Sequence, residues 1–149
     1  MKEFLTNNSQ QTQELAQKVA QLVRRGMVLT LTGDLGAGKT TFTQGFARAL
    51  GVTGRVKSPT FNIMNTYMAG ETPIYHFDAY TLETMGAENQ GFEDFIGTDG
   101  ITLIEWPQYM VDILPNDRID FNFQRTNEDD QRQITIHGIG QLANFEDAL

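Results

Sequence analysis

Eight consecutive residues, Gly33-Asp34-Leu35-Gly36-Ala37-Gly38-Lys39-Thr40, constrain this chain more than any other stretch. They match G-x-x-x-x-G-K-[ST] without a mismatch. Before them runs the apolar, partly β-branched segment Met27–Thr32; after them Phe42, Phe46, Ala49 and Leu50 mark one face of a helix that stops at Gly51. Small glycines let successive backbone N–H groups turn inward as a concave nest for an anion. The loop opens onto a helix N-terminus, where unpaired N–H groups and the helix dipole favour phosphate. In that setting Gly33 to Gly38 cradle a phosphate chain and Lys39 reaches the β- and γ-phosphate oxygens. The Thr40 hydroxyl can ligate Mg²⁺, and Thr41 is placed to touch the α-phosphate. A glycine-rich structural turn would not need the strand before it and the helix after it.

The rest of the chain predicts what surrounds that loop. Leu15, Val19 and Leu22 place an amphipathic helix over 13–23, ending near Gly26. Phe61 to Tyr67 alternates as a half-buried strand, Ala69-Gly70-Glu71 reads as its turn, and Pro73 to Asp78 as a second strand. Residues 82–100 are polar and glycine-punctuated, with a short helix around Phe92 to Ile96. Ile101 to Ile104 is a compact apolar strand ending in Glu105-Trp106-Pro107. Strands around Ile119–Phe123 and Ile134–Ile136 read as antiparallel edges, and Leu142, Phe145 and Leu149 as a last helix. This alternation predicts an α/β fold. Its form is a three-layer α/β/α P-loop NTPase domain with a mixed sheet and antiparallel additions toward the C-terminal end. The 149 residues suffice for one such domain, 1–149.

Composition narrows the function. Absence of cysteine excludes disulfide scaffolds, thiolate zinc sites and cysteine nucleophiles. Residues Met1 to Asn8 lack the apolar stretch of a signal peptide, and no apolar run is long enough to span a bilayer. The expectation is a soluble, cytoplasmic protein with no membrane partner. Net charge is −8, unevenly spread: residues 1–70 hold 8 Lys/Arg against 3 Asp/Glu, residues 71–149 hold 3 against 16. Gripping nucleic acid alone needs phosphate neutralisation that such an acidic chain does not supply, although its basic half can hold a small polyanion. The acidic half can attract a basic partner or form a solvated face.

Three classes of phosphate-loop protein compete. A GTPase would carry an Asn-Lys-x-Asp element, which this sequence lacks. A small-molecule kinase clamps the transferred phosphoryl group with lid arginines, and residues 58–117 contain none. An ATPase or nucleotide-binding switch acting on partner proteins remains. Ser58-Pro59-Thr60-Phe61 places hydroxyls, Thr60 among them, where a γ-phosphate can be sensed, or is a proline-fixed loop entering a strand. Asp78 ends a strand, where α/β sheets place ligands, or initiates a turn. His76 reads equally as a satisfied strand histidine and as a catalytic one. Glu105 follows four apolar strand residues, the position of a Walker-B-type carboxylate near Mg²⁺. Trp106 flanks it or caps the core.

Together, Gly33 to Phe42, Ser58-Pro59-Thr60-Phe61, His76-Phe77-Asp78-Ala79-Tyr80 and Ile104-Glu105-Trp106-Pro107 resemble the bacterial ATPase family of tRNA threonylcarbamoyladenosine biosynthesis, the TsaE family. The resemblance spans nearly the whole chain. It implies binding of ATP/ADP and Mg²⁺ and slow ATP hydrolysis. It also implies a role in moving a threonylcarbamoyl group onto adenosine 37 of tRNA through the partner proteins TsaD and TsaB, with tRNA met only indirectly. Carried over by motif, Lys39, Asp78 and Glu105 are catalytic, and Thr40 and Glu105 hold the metal. Gly33, Asp34, Leu35, Gly36, Ala37, Gly38, Lys39, Thr40, Thr41, Thr60 and Trp106 surround the nucleotide. Thr12 matches a threonine at the start of the family's first helix, and Arg132 falls near a late family arginine. In one place the chain departs from the family: after His-x-Asp-x-Tyr stands Thr81, where the family usually has arginine.

Overall fold

The computed structural model describes residues 1–59, 62–85 and 91–149. Among the described residues seven strands and three α-helices carry the fold. They are β1 (Lys2–Thr6), α1 (Ser9–Leu22), β2 (Val28–Thr32), α2 (Lys39–Ala49), β3 (Met64–Ala69), β4 (Thr72–Asp78), α3 (Leu82–Met85), β5 (Ile101–Glu105), β6 (Arg118–Arg125) and β7 (Arg132–Ile139). All seven strands form one mixed sheet in the order β1-β7-β6-β2-β5-β4-β3. The four strands β4, β5, β2 and β6 run parallel at its centre, and antiparallel pairs flank them on both sides. No helix among the described residues is long and apolar enough to cross a membrane.

Local chemistry explains the two long helices. Asn8 caps α1, its side-chain oxygen accepting from the Gln11 N–H at 2.8 Å. The helix buries Leu15, Ala16, Val19 and Ala20. Gly38, in the left-handed region at φ 110°, begins α2 without a side-chain cap. Both helices cover one face of the sheet, where Phe42 of α2 packs on Phe121 and Phe123 of β6 at centroid distances of 5.1 and 5.5 Å. Gly45 lets the helices touch: a Cβ there would lie 2.9 Å from Cα and Cβ of Gln13. The other face carries a thinner layer, α3 and the 3₁₀ turns Phe92–Asp94 and Pro107–Ile113, whose Met110 is buried with Val28, Phe77 and Ile104 of the sheet.

Several boundaries differ from the sequence expectation. The strand expected from Phe61 begins at Met64, and Phe61 lies outside the described residues. The short helix near Phe92 and the expected C-terminal helix are 3₁₀ turns. The late strands are not edges. β6 is inserted beside β2 and β7 lies between β6 and β1, leaving β1 and β3 at the borders. Alternation misleads here because Asp120, on the less apolar face of β6, is satisfied by Thr30 of β2 at 2.6 Å and by Arg118 at 3.0 Å. A strand that reads as half-solvated can therefore sit inside the sheet. Five residues with one buried-side aromatic, Phe4, carry too little pattern to mark β1 from sequence.

Candidate functional site

Parallel strands place their carboxyl ends together, and a ligand crevice forms there. In this sheet the ends of β2, β4 and β5 bring the Gly33–Gly38 loop, Asp78 and Glu105 to one edge, with Asp78 and Glu105 directly opposite in register. They open on a cleft of about 820 Å³. Of the residues predicted from sequence, Thr12, Leu35, Gly36, Gly38, Lys39, Thr40, Thr41, Asp78, Glu105, Trp106 and Arg132 line it. Gly33, Asp34 and Ala37 do not: Ala37 is turned into the core, and Gly33 backs against Phe123 of β6. Thr60 lies outside the described residues.

Lys39 is the electrostatic centre of the cleft. Its side chain is 6% exposed, donates to the Gly33 carbonyl at 2.6 Å and lies 4.5 Å from the Trp106 ring centroid. Among the described residues no carboxylate comes within ion-pair distance of it. A buried ammonium without a counter-charge is costly unless an anion joins it. The uncapped first turn of α2 adds amides aimed at the same space.

The acidic side is as well defined. Asp78 accepts from Ser58 Oγ at 3.3 Å and from the Tyr80 N–H at 3.1 Å. Glu105, 4% exposed, meets His76 Nε2 through Oε2 at 2.7 Å. Trp106 holds φ 58° and ψ 53°, a left-handed conformation that non-glycine residues keep only when the surroundings over-determine it. Tyr80 and Tyr109 pack on its indole. Burial pushes the Tyr109 phenol above its ordinary value, with Glu83 and Tyr80 adding to the shift. Thr12 is anchored by a 2.8 Å hydrogen bond between its hydroxyl and that of Thr6, so its cleft position depends on β1.

Structure adds Arg125, which the sequence reading does not place, beside Arg132, which the family resemblance does. Arg125 and Arg132 are cross-strand partners on β6 and β7, and both donate to the Gly36 carbonyl at 3.3 Å. Like charges directly opposite repel, and among the described residues neither meets a carboxylate. Only the register of β6 against β7 reveals the pair. Thr81, which stands where the family usually has arginine, lines the cleft.

For Mg²⁺ the donor set is appropriate: a hydroxyl at Thr40 and a carboxylate at Glu105 are hard oxygen ligands on one cleft. Among the described residues no cluster of three His, Cys, Asp or Glu side chains can hold a metal by itself. A cation here would complete its shell with phosphate oxygens and water, as Mg²⁺ does at nucleotide sites.

Comparison with known proteins agrees with this architecture. Residues 6–134 match the family described as threonylcarbamoyl adenosine biosynthesis protein TsaE. The tRNA threonylcarbamoyladenosine biosynthesis protein TsaE of Bacillus subtilis (strain 168) is 42% identical over 135 residues, covering 91% of this chain and 84% of that protein. Its counterpart in Synechocystis is 44% identical over 110 residues, covering 71% and 70%. The crystal structure of Bacillus subtilis YdiB superposes with a TM-score of 0.82 at 36% identity, covering 99% of this chain and 90% of that one. The chain therefore belongs to the TsaE family of tRNA threonylcarbamoyladenosine biosynthesis.

Proposed function

We propose that this protein is a Mg²⁺-dependent P-loop ATPase of a single domain that serves threonylcarbamoyl transfer to adenosine 37 of tRNA by acting on a TsaD–TsaB partner complex. The observation that carries the reading is the buried Lys39 ammonium, which has no carboxylate partner among the described residues, at the uncapped start of α2 on the cleft that Asp78 and Glu105 also line.

Each residue has a task set by its position. The α2 amides and Lys39 bind the phosphate chain and offset charge that develops on its oxygens. Thr40 and Glu105 would hold Mg²⁺, which supplies Lewis-acid polarisation of the phosphates when bound. Asp78, less buried than Glu105 and held by Ser58 and Tyr80, orients the attacking water. Because Ser58 touches Asp78, the segment starting at Ser58 is the natural reader of the hydrolysis state. The acidic total keeps tRNA contact with the partners rather than with this chain.

The test is multi-turnover tRNA modification with purified partner proteins. Lys39→Ala and Glu105→Ala are each expected to lower turnover at least tenfold, about 1.4 kcal/mol of lost stabilisation. Unchanged turnover in both would refute the reading. Asp78→Ala is expected to bind ATP without hydrolysing it. If that variant still supports repeated modification, the protein is a nucleotide-binding module in which hydrolysis is incidental.

A further inference from the structure

His76 is 1% exposed on β4, two residues before Asp78 and on the same face of the sheet. Among the described residues its ring makes one polar contact, Nε2 to Glu105 Oε2 at 2.7 Å. Nδ1 is buried and without a partner among the described residues. A carboxylate oxygen accepts, so Nε2 carries the hydrogen, and a neutral ring then leaves Nδ1 with a bare lone pair. An orphaned acceptor is the more tolerable arrangement, because buried N–H groups without partners are rare. The other carboxylate oxygen, Oε1, meets no protein donor among the described residues, and Glu105 lines the cleft.

We propose that His76 is a positioning residue: by holding Oε2 of Glu105 it presents Oε1 to the divalent cation of the cleft. This assignment rests on the ATP and Mg²⁺ reading above. Groups that orient a metal ligand from behind fix its geometry and tune its affinity. Here the usual arrangement is inverted, with an imidazole orienting a carboxylate. Ring packing alone does not account for the site, since the neighbouring Tyr67 ring is tilted at 38° with its centroid 6.2 Å away. An apolar ring would fill that space equally well, but would leave Glu105 without its donor.

Two measurements decide it. Long-range nitrogen-15 spectra of the metal-free protein, with His137→Gln to assign its two histidines, are expected to show His76 as the Nε2–H tautomer. Calorimetry of ATP binding across a Mg²⁺ series gives the second. His76→Phe is expected to raise the Mg²⁺ concentration for half-maximal tightening about 10- to 100-fold while leaving ATP affinity in EDTA within about twofold. His76→Gln, which keeps an N–H donor, is expected to return the Mg²⁺ requirement to within about threefold of wild type. An Nδ1–H tautomer overturns the assignment, and so does His76→Phe with an unaltered Mg²⁺ requirement; both leave the ATP reading standing. Wild-type protein that binds no nucleotide overturns that reading and this assignment together.

Discussion

The Lys39 ammonium lies 4.5 Å from the centroid of the Trp106 ring and donates to the Gly33 carbonyl at 2.6 Å. A cation over an indole is held by the ring quadrupole, worth about 2 kcal/mol when desolvated. A bound phosphate group would offer Lys39 a full counter-charge and draw it off the ring. Trp106 is the single tryptophan, so its emission reports this exchange directly. Adding Mg²⁺ and ATP is expected to change the fluorescence of the wild-type protein. Lys39→Met, which keeps the stem without the charge, is expected to abolish the change, and an identical response in that variant would contradict the exchange.

Arg125 and Arg132 converge on the Gly36 carbonyl without carboxylate partners among the described residues. A polyanion bound in the cleft would relieve their mutual repulsion. Arg132→Ala is expected to weaken ATP binding about tenfold, matching the loss of one charge-assisted hydrogen bond. Arg125→Ala, at the exposed edge, is expected to weaken it about threefold. Both losses are expected to shrink at 1 M salt. Calorimetric affinities at two ionic strengths check this.

Gly45 sits inside α2, where alanine would normally improve helix propensity by about 1 kcal/mol. Here an added Cβ would press on the Gln13 backbone of α1 at 2.9 Å. Overpacking of that kind costs about 1–3 kcal/mol. Gly45→Ala is therefore expected to destabilise the fold by about 1 kcal/mol in urea unfolding. A stabilised variant would show that the two helices separate freely.

Glu146 is 3% exposed and pairs with the Met1 ammonium at 2.7 Å, while Gly138 N–H donates to it at 3.0 Å. Burial opposes its charge, but the hydrogen bonds from the amine and backbone prevail and hold the carboxyl at about 2, below its ordinary 4.5. The folded value lies below the unfolded one, so the contribution is complete above about pH 4.5 and is lost as pH falls toward 2. Glu146→Gln is expected to lower stability at pH 7, with the gap from wild type narrowing below pH 4.5. A gap independent of pH would contradict the ion pair. Urea titrations at several pH values measure it.

The part of the site made by contiguous residues was legible in the chain itself. Gly33 to Thr41 announce their geometry because strand, loop and helix follow one another, and Asp78 and Glu105 each close an apolar run. What stayed hidden depends on register. The meeting of Arg125 with Arg132 requires β6 and β7 to pair residue against residue. The anchoring of Thr12 requires β1 to bring Thr6 alongside. The His76 contact was partly readable, since strand alternation puts residues 76 and 78 on one face, but its partner on β5 was not. Central placement of β6 was masked by Asp120, whose polarity looks solvated until Thr30 and Arg118 are seen to satisfy it.

On the proposed reading the loop and Lys39 hold the phosphates of an adenine nucleotide. Titration calorimetry of the folded protein with ATP in the presence of Mg²⁺ tests it most directly. The expected result is saturable one-to-one binding that falls at least tenfold in Lys39→Ala, about 1.4 kcal/mol. Absence of any heat from ATP or ADP, with and without the partner proteins, would contradict it.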